Sequence, residues 1–146
     1  MRYLGLDLGT RTLGIAVSDL THTISNSYKT IRYDEGDYNF LINELRGIVS
    51  EFNVSKIVLG LPKNMNNTLG ESAVRCLDFK ELIEKELGMN VVMQDERLTT
   101  VEATNYMLEA NVSRRKRKGK IDSLAANIIL QSYLDMEGSY GRKNDV

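Results

Sequence analysis

The sequence predicts an α/β fold, a mixed five-stranded sheet flanked by helices. Three observations carry this reading. Two short apolar runs at the start are separated by Gly9-Thr10-Arg11-Thr12, which is hairpin spacing. Beyond residue 37, helical periodicities alternate with short apolar runs, the pattern of helices laid on the faces of a sheet. With 146 residues, 42% of them hydrophobic and 27% charged, the chain can bury one real core.

The elements follow in order. Residues 2–8 read as a first strand and Gly14–Ser18 as a second. A third spans Ile24–Arg32, where Tyr28, Thr30 and Ile31 favour extended backbone. Asp34-Glu35-Gly36-Asp37 breaks the pattern. A helix then runs from about Asp37 to Phe52, with Phe40, Leu41, Leu45, Ile48, Val49 and Phe52 at helical spacing. Lys56–Leu61 is a buried strand stopped by Pro62, and Lys63–Gly70 is a polar loop. Glu71–Leu87 is a second helix with Val74, Leu77, Leu82, Ile83 and Leu87 apolar, and Gly88 is its stop signal. Val91–Glu96 is the fifth strand. A third helix starts near Leu98-Thr99-Thr100, with a threonine as N-cap, and reaches about Ala110. An apolar last helix covers Ile121–Met136. Residues 1–138 therefore form one domain, and residues 139–146 read as a flexible tail.

Composition excludes several chemistries. One cysteine, Cys76, and one histidine, His22, rule out an intramolecular disulfide and a Cys/His zinc site. A Ser-His-Asp triad would need His22, which sits in a polar turn and reads as a solvated loop residue. Cys76 reads as a small packing residue. No apolar stretch approaches the ~20 residues of a membrane span, and no signal-peptide pattern opens the chain, so the expected location is the cytoplasm. The net charge of −1 does not describe a basic nucleic-acid binder. Its distribution does more, because six of the seven residues from Arg114 to Lys120 are Lys or Arg. A charge run alone is usually a solvated loop; this one lies just before an acid that looks buried, which favours a grip on phosphates.

That acid is one of three. Asp7 interrupts the apolar run Tyr3–Gly9, where an acid is costly unless something pairs with it. Alternation puts Leu4, Leu6 and Leu8 on one face and Asp7 on the other, between Gly5 and Gly9, which leave space around it. The second acid is Glu96, or its neighbour Asp95, at the end of the last strand. The third is Asp122, at the start of the last helix, where Ala125 and Ala126 offer a small face that can approach a sheet closely. Taken alone, Asp122 would only complement the helix dipole, and Glu96 with Arg97 would be an exposed pair. Together, three carboxylates at strand ends repel one another unless cations neutralise them. An all-carboxylate site suits Mg²⁺ or Mn²⁺, and two such ions hydrolyse phosphodiesters without histidine or cysteine. Arg11, in the first turn, and Arg97 can hold a phosphate by paired hydrogen bonds. Arg114, Arg115, Lys116 and Arg117 head the basic run. The Asn64–Thr68 segment is either plain turn chemistry or a backbone contact.

Four ordered segments carry a resemblance. Leu6–Asp19 (LDLGTRTLGIAVSD), Gly60-Leu61-Pro62, Asp95–Thr100 (DERLTT) and Ile121–Ala126 (IDSLAA) resemble the motifs of the YqgF family, small bacterial proteins similar to Holliday junction resolvases. The resemblance runs to about residue 137. It implies a ribonuclease H-like fold and a divalent-metal nuclease acting on structured nucleic acid, with a role in maturing the 5′ end of precursor 16S rRNA on ribosomal precursor particles. By motif position it implies Asp7, Glu96 and Asp122 as the acidic, metal-holding triad. The label of junction resolvase rests on fold similarity, a weak warrant for substrate.

Three other readings compete. A DNA junction resolvase would favour a two-fold dimer, and the sequence leaves the oligomeric state open. Asp7-Leu8-Gly9-Thr10 also resembles the phosphate loop of the actin and sugar-kinase superfamily, but those enzymes clamp ATP between two such domains. A non-catalytic RNA-binding module would use the basic loop and keep the acids for structure.

Overall fold

The computed structural model describes residues 1–62, 70–95 and 124–144, with side chains to residue 138. The described elements are β1 (Arg2–Leu8), β2 (Thr12–Ser18), β3 (Ser25–Arg32), α1 (Tyr38–Phe52), β4 (Val54–Leu61), α2 (Glu71–Leu87), β5 (Asn90–Asp95) and α3 (Leu124–Asn144). The five strands form one sheet in the order β3-β2-β1-β4-β5. β1, β2 and β3 make an antiparallel meander, while β4 lies parallel to β1 and β5 parallel to β4. The sheet is therefore mixed, as expected, and the parallel half has helices to bury both of its faces.

Alternation along the strands sorts the core into two layers. Leu4, Leu6, Leu8, Leu13, Ile15, Ile57, Leu59 and Val91 pack beneath α1 and α2. Ala16 and Val58 lie on the other face, under Ala126, Ile129, Leu130 and Leu134 of α3. α1 begins where Asp37 accepts a hydrogen bond from the Phe40 amide (3.3 Å), and it ends at Asn53 in the left-handed region. α2 ends at Gly88 with φ +63, a conformation glycine adopts without strain.

Several boundaries and faces differ from expectation. Val74 (49% exposed) and Phe40 (41%) point to solvent although both fit the helical stripe. α2 buries the expected Ile83 together with Ala73, Cys76 and Phe79, and leaves Leu77, Leu82 and Leu87 partly buried. The last helix continues to Asn144, past the expected end at Met136 and through most of the segment read as a tail. His22 is not simply solvated: it stacks on Tyr3 (3.9 Å between ring centroids) and its Nε2 contacts the Met1 carbonyl (2.7 Å). Cys76 is buried, as a packing residue should be. The helix expected from Leu98 to Ala110, the Asn64–Thr68 segment and the basic run lie outside the described residues. Among the described residues no helix is long and apolar enough to cross a membrane.

Candidate active site

β1, β4 and β5 end at the same edge of the sheet, at Leu8, Leu61 and Asp95. In parallel-stranded sheets this is the edge where ligands collect. Asp7 sits there, one residue from the end of β1, half-buried on the face that α3 covers. Gly5 and Gly9 flank it along the strand, in keeping with the sequence pattern. Across the sheet it pairs with Gly14, and one step beyond the last β1–β4 pair, Leu6 with Leu59, comes Gly60. Asp7 thus has glycine on all four sides. Burial pushes its carboxyl pKa upward, and no charge or hydrogen bond among the described residues offsets that.

The turn after Asp7 is tied down. The Gly9 amide donates to the Thr12 carbonyl (2.8 Å), and the Tyr33 amide donates to the Arg11 carbonyl (3.0 Å). The Tyr33 hydroxyl donates to the Gly9 carbonyl. Burial, helped by the neighbouring Tyr38, raises the Tyr33 pKa to about 12, so the hydroxyl remains a donor at any working pH. Arg11 stays exposed on this braced turn. Sequence reasoning misses Tyr33, whose only signal is an aromatic just after a strand at the start of a polar break.

The approach of α3 depends on Gly5. A Cβ at that position would lie 2.6 Å from Leu130 Cβ and 3.0 Å from the Ala126 carbonyl oxygen. Further down the strand, the Tyr3 hydroxyl donates to Glu137 Oε1 (3.1 Å). The helix therefore runs antiparallel to β1, with its N-terminus toward the Asp7 edge. Of the two expected small residues, Ala126 packs on the sheet and Ala125 faces outward.

Two polar seams hold α3 in place. On the β3 side, the Ser25 amide donates to Gln131 Oε1 (2.9 Å), Gln131 Nε2 donates to the Thr23 carbonyl (2.9 Å), and the Ser25 hydroxyl donates to Asn127 Oδ1. Near the other end of α3, Lys56 Nζ donates to Tyr133 Oη (2.9 Å) and pairs with Glu137 Oε2 (3.2 Å). Burial alone would lower the Lys56 pKa, but the hydrogen bonds from this pair raise it above the ordinary lysine value.

Of the residues singled out in the sequence, the structure places Asp7 and Arg11 at one edge. Glu96, Arg97, Arg114, Arg115, Lys116, Arg117 and Asp122 lie outside the described residues, and among those that are described no three metal-binding side chains cluster. Asp95 pairs with Leu61, whose side chain belongs to the α1/α2 layer, so alternation turns Asp95 away from the Asp7 face. Arg32 is a further residue that the sequence does not flag. It is exposed, aligned with Thr12, and by alternation lies on the Asp7 face.

Comparison with known proteins places this geometry. A family model described as RuvX, Holliday junction resolvase, matches residues 1–136. A protein of Leuconostoc mesenteroides named "Putative pre-16S rRNA nuclease" is 49% identical over 139 residues, covering 94% of this chain and 97% of its own. A protein of the same name from Listeria monocytogenes is 47% identical over 135 residues, with 92% and 98% covered. Among solved structures, T. thermophilus RuvC in complex with Holliday junction substrate superposes with a TM-score of 0.63 at 14% identity, covering 99% of this chain and 96% of that one. The Fowlpox virus resolvase bound to Holliday junction DNA gives 0.55 at 12% identity, with 93% and 98% covered. These structures share the ribonuclease H-like fold. The family shown by the model and the relatives is the one the four motifs resemble, and the chain belongs to the RuvX, or YqgF, family of Holliday junction resolvase-like proteins.

Proposed function

We propose that this chain is a divalent-metal-dependent endonuclease that cuts phosphodiester bonds in structured RNA and matures the 5′ end of precursor 16S rRNA in the cytoplasm. The observation that carries the reading is Asp7, a half-buried carboxylate with glycine on every side and nothing among the described residues to balance its charge. Such a site lowers its energy by taking up a cation, and the open floor leaves room for a phosphate beside it. Relatives that share nearly half of their residues with this chain bear the nuclease name.

The donor chemistry fits Mg²⁺ or Mn²⁺. Asp7 offers a hard oxygen ligand, while the single cysteine, Cys76, packs in the α1/α2 layer and the single histidine, His22, stacks on Tyr3. Glu96 and Asp122 complete the proposed set. Glu96 follows Asp95 directly in sequence, and Asp95 turns away from the Asp7 face, which leaves Glu96 and not Asp95 as the proposed partner of Asp7. Asp122 lies two residues before Leu124, within ~7 Å of it along the chain, and α3 points its N-terminus at the Asp7 edge. When bound, such ions activate a water and stabilise the leaving oxygen. Arg11 holds the substrate phosphate from the braced turn, and Arg97 is proposed for the same role. Arg114, Arg115, Lys116 and Arg117 grip the flanking backbone. Residues 1–138 act as one nuclease domain.

The family description favours a second reading, cleavage of branched DNA. One assay separates them: end-labelled precursor rRNA and a four-way DNA junction are offered with Mg²⁺ or Mn²⁺, with Asp7→Asn as control. RNA cleavage that requires metal and is lost in the variant is the expected result. Cutting of the junction alone would overturn the RNA reading in favour of the resolvase, and cutting of neither would leave a binding module.

A further inference from the structure

A cavity of about 260 Å³ opens beside the Asp7 edge, lined by Arg32, Tyr33, Asp34, Asp37 and Phe40. Its wall is continuous with the candidate active site. Tyr33 is the residue that braces the Gly9–Thr12 turn, and Arg32 is aligned with Thr12 of that turn. The cavity lies at the end of the outer strand β3, and Asp37 and Phe40 approach it from α1, on the face of the sheet opposite Asp7.

The lining has an unusual division of labour. Phe40 is 41% exposed and lines this space, although its helix buries Leu41, Ile42, Leu45 and Ile48. Arg32 is exposed and makes no ion pair among the described residues, despite two carboxylates in the same lining. The Asp37 carboxylate is already committed to capping α1 through the Phe40 amide. The Asp34 side chain accepts nothing among the described residues, while its carbonyl accepts the Asp37 amide (2.9 Å). An exposed aromatic face, an open guanidinium and an open carboxylate thus surround one small space. The volume lies below the ~300–1,000 Å³ of sites for drug-sized ligands, a scale suited to a single planar base.

We propose that this cavity is a subsite for one unpaired nucleotide of the substrate strand, reached where that strand passes from the Asp7 edge around the end of β3. Phe40 stacks on the base, as aromatic side chains do in single-strand binding proteins. Asp34 accepts from the base's N–H donors, which favours bases carrying an amino group. Arg32 contacts the phosphate that links this nucleotide to the segment crossing Asp7, and Arg11 takes the next position along the same edge. The substrate at this point is then a single strand or a splayed end, not a continuous duplex. This deepens the nuclease reading and rests on it for its place along the substrate strand.

The test measures binding apart from cleavage. A short single-stranded RNA bearing the fluorescent base 2-aminopurine, and its DNA counterpart, are titrated with full-length protein in metal-free buffer. Stacking on Phe40 should quench the fluorescence. Phe40→Ala should weaken affinity by about 5- to 150-fold, the range found for loss of one stacked base, and abolish the quenching. Arg32→Ala should weaken affinity and lower its salt dependence by about one phosphate's share. Val74→Ala, on the outward face of α2, is the control and should change neither. Loss with both RNA and DNA supports a nucleotide site indifferent to the sugar, and loss with RNA alone supports one that reads the 2′-hydroxyl. Unchanged affinity and quenching in Phe40→Ala would overturn the subsite even if the protein cuts RNA. A Phe40-dependent signal without any cleavage would keep the subsite and sink the nuclease reading.

Discussion

Gly5→Ala is the sharpest test of how the site is assembled. The new methyl would lie 2.6 Å from Leu130 Cβ and 3.0 Å from the Ala126 carbonyl oxygen. Carbon atoms in contact sit about 3.5–4.0 Å apart, so α3 must retreat by about 1 Å. Neither opposing atom can swing aside, since one is fixed to the helix backbone and the other belongs to it. Overpacking of this kind costs about 1–3 kcal/mol. Replacing glycine also stiffens the unfolded chain, worth about 0.4–1 kcal/mol in the opposite direction, so net destabilisation is expected. At about 2–4 °C per kcal/mol for a domain near this size, the melting temperature should fall by several degrees. Activity should fall further, because α3 begins two residues after Asp122, the proposed third metal ligand. A shift of about 1 Å in a catalytic group can cost ~100-fold in rate. Thermal denaturation and initial cleavage rates at 25 °C, where the variant remains folded, measure the two effects separately. An unchanged melting temperature together with wild-type cleavage would refute both the close packing at Gly5 and the dependence of the site on it.

Four further outcomes are expected. Asp7→Asn should keep or raise the melting temperature in metal-free buffer at neutral pH, because it removes a charge that burial penalises; a clear loss of stability would show the carboxylate to be structural. Asp19 is subject to desolvation that raises its pKa, but the Thr21 hydroxyl and the Ile24 and Thr23 amides outweigh it and hold the value at about 2. Its stabilising effect is therefore present above the ordinary carboxylate range and lost as pH falls through about 2, so Asp19→Ala should lower the melting temperature at pH 7, and its gap from wild type should narrow steadily as pH falls from about 4 through about 2. Gln131→Ala strands the Ser25 amide and the Thr23 carbonyl and should cost about 1–3 kcal/mol in a denaturant titration. Changing Arg114, Arg115, Lys116 and Arg117 together to Ala should weaken RNA binding and flatten its salt dependence by about 0.7–0.9 for each phosphate no longer neutralised; a salt slope equal to wild type would remove the basic run from the interface.

Much of the fold is legible in the sequence because its signals are local. Leu4, Leu6 and Leu8 alternate with Gly5 and Asp7 in the sequence, and they separate onto two faces in the structure for the same reason. The stops at Gly88 and at the 34–37 break also hold, since backbone conformation at a turn depends on the residues in it. Expectation and structure part where a pattern is satisfied twice. Phe40 and Val74 fit a helical stripe, yet the sheet is too narrow to cover the whole of it, so they face solvent. The end of the last helix is hidden because Gly138 and the polar residues after it read as a terminus, while the helix carries on to Asn144.

By itself the sequence determined the strand and helix order, the four motifs that mark the family, and the anomaly of an acid in a core strand between two glycines. Only the tertiary structure decided what lies beside that acid. Gly14 is Asp7's cross-strand partner through the hairpin register, and α3 settles on Gly5 through two polar seams whose members lie over 70 residues apart in the chain. It also turned Asp95 to the opposite face, brought Arg32 into line with the Asp7 turn, and opened the cavity at Phe40. The physical reason is one of range. Side-chain alternation and turn preference are set by neighbours a few residues away. Register and helix placement are set by which surfaces bury each other most completely, and that competition takes place only once the whole chain has collapsed.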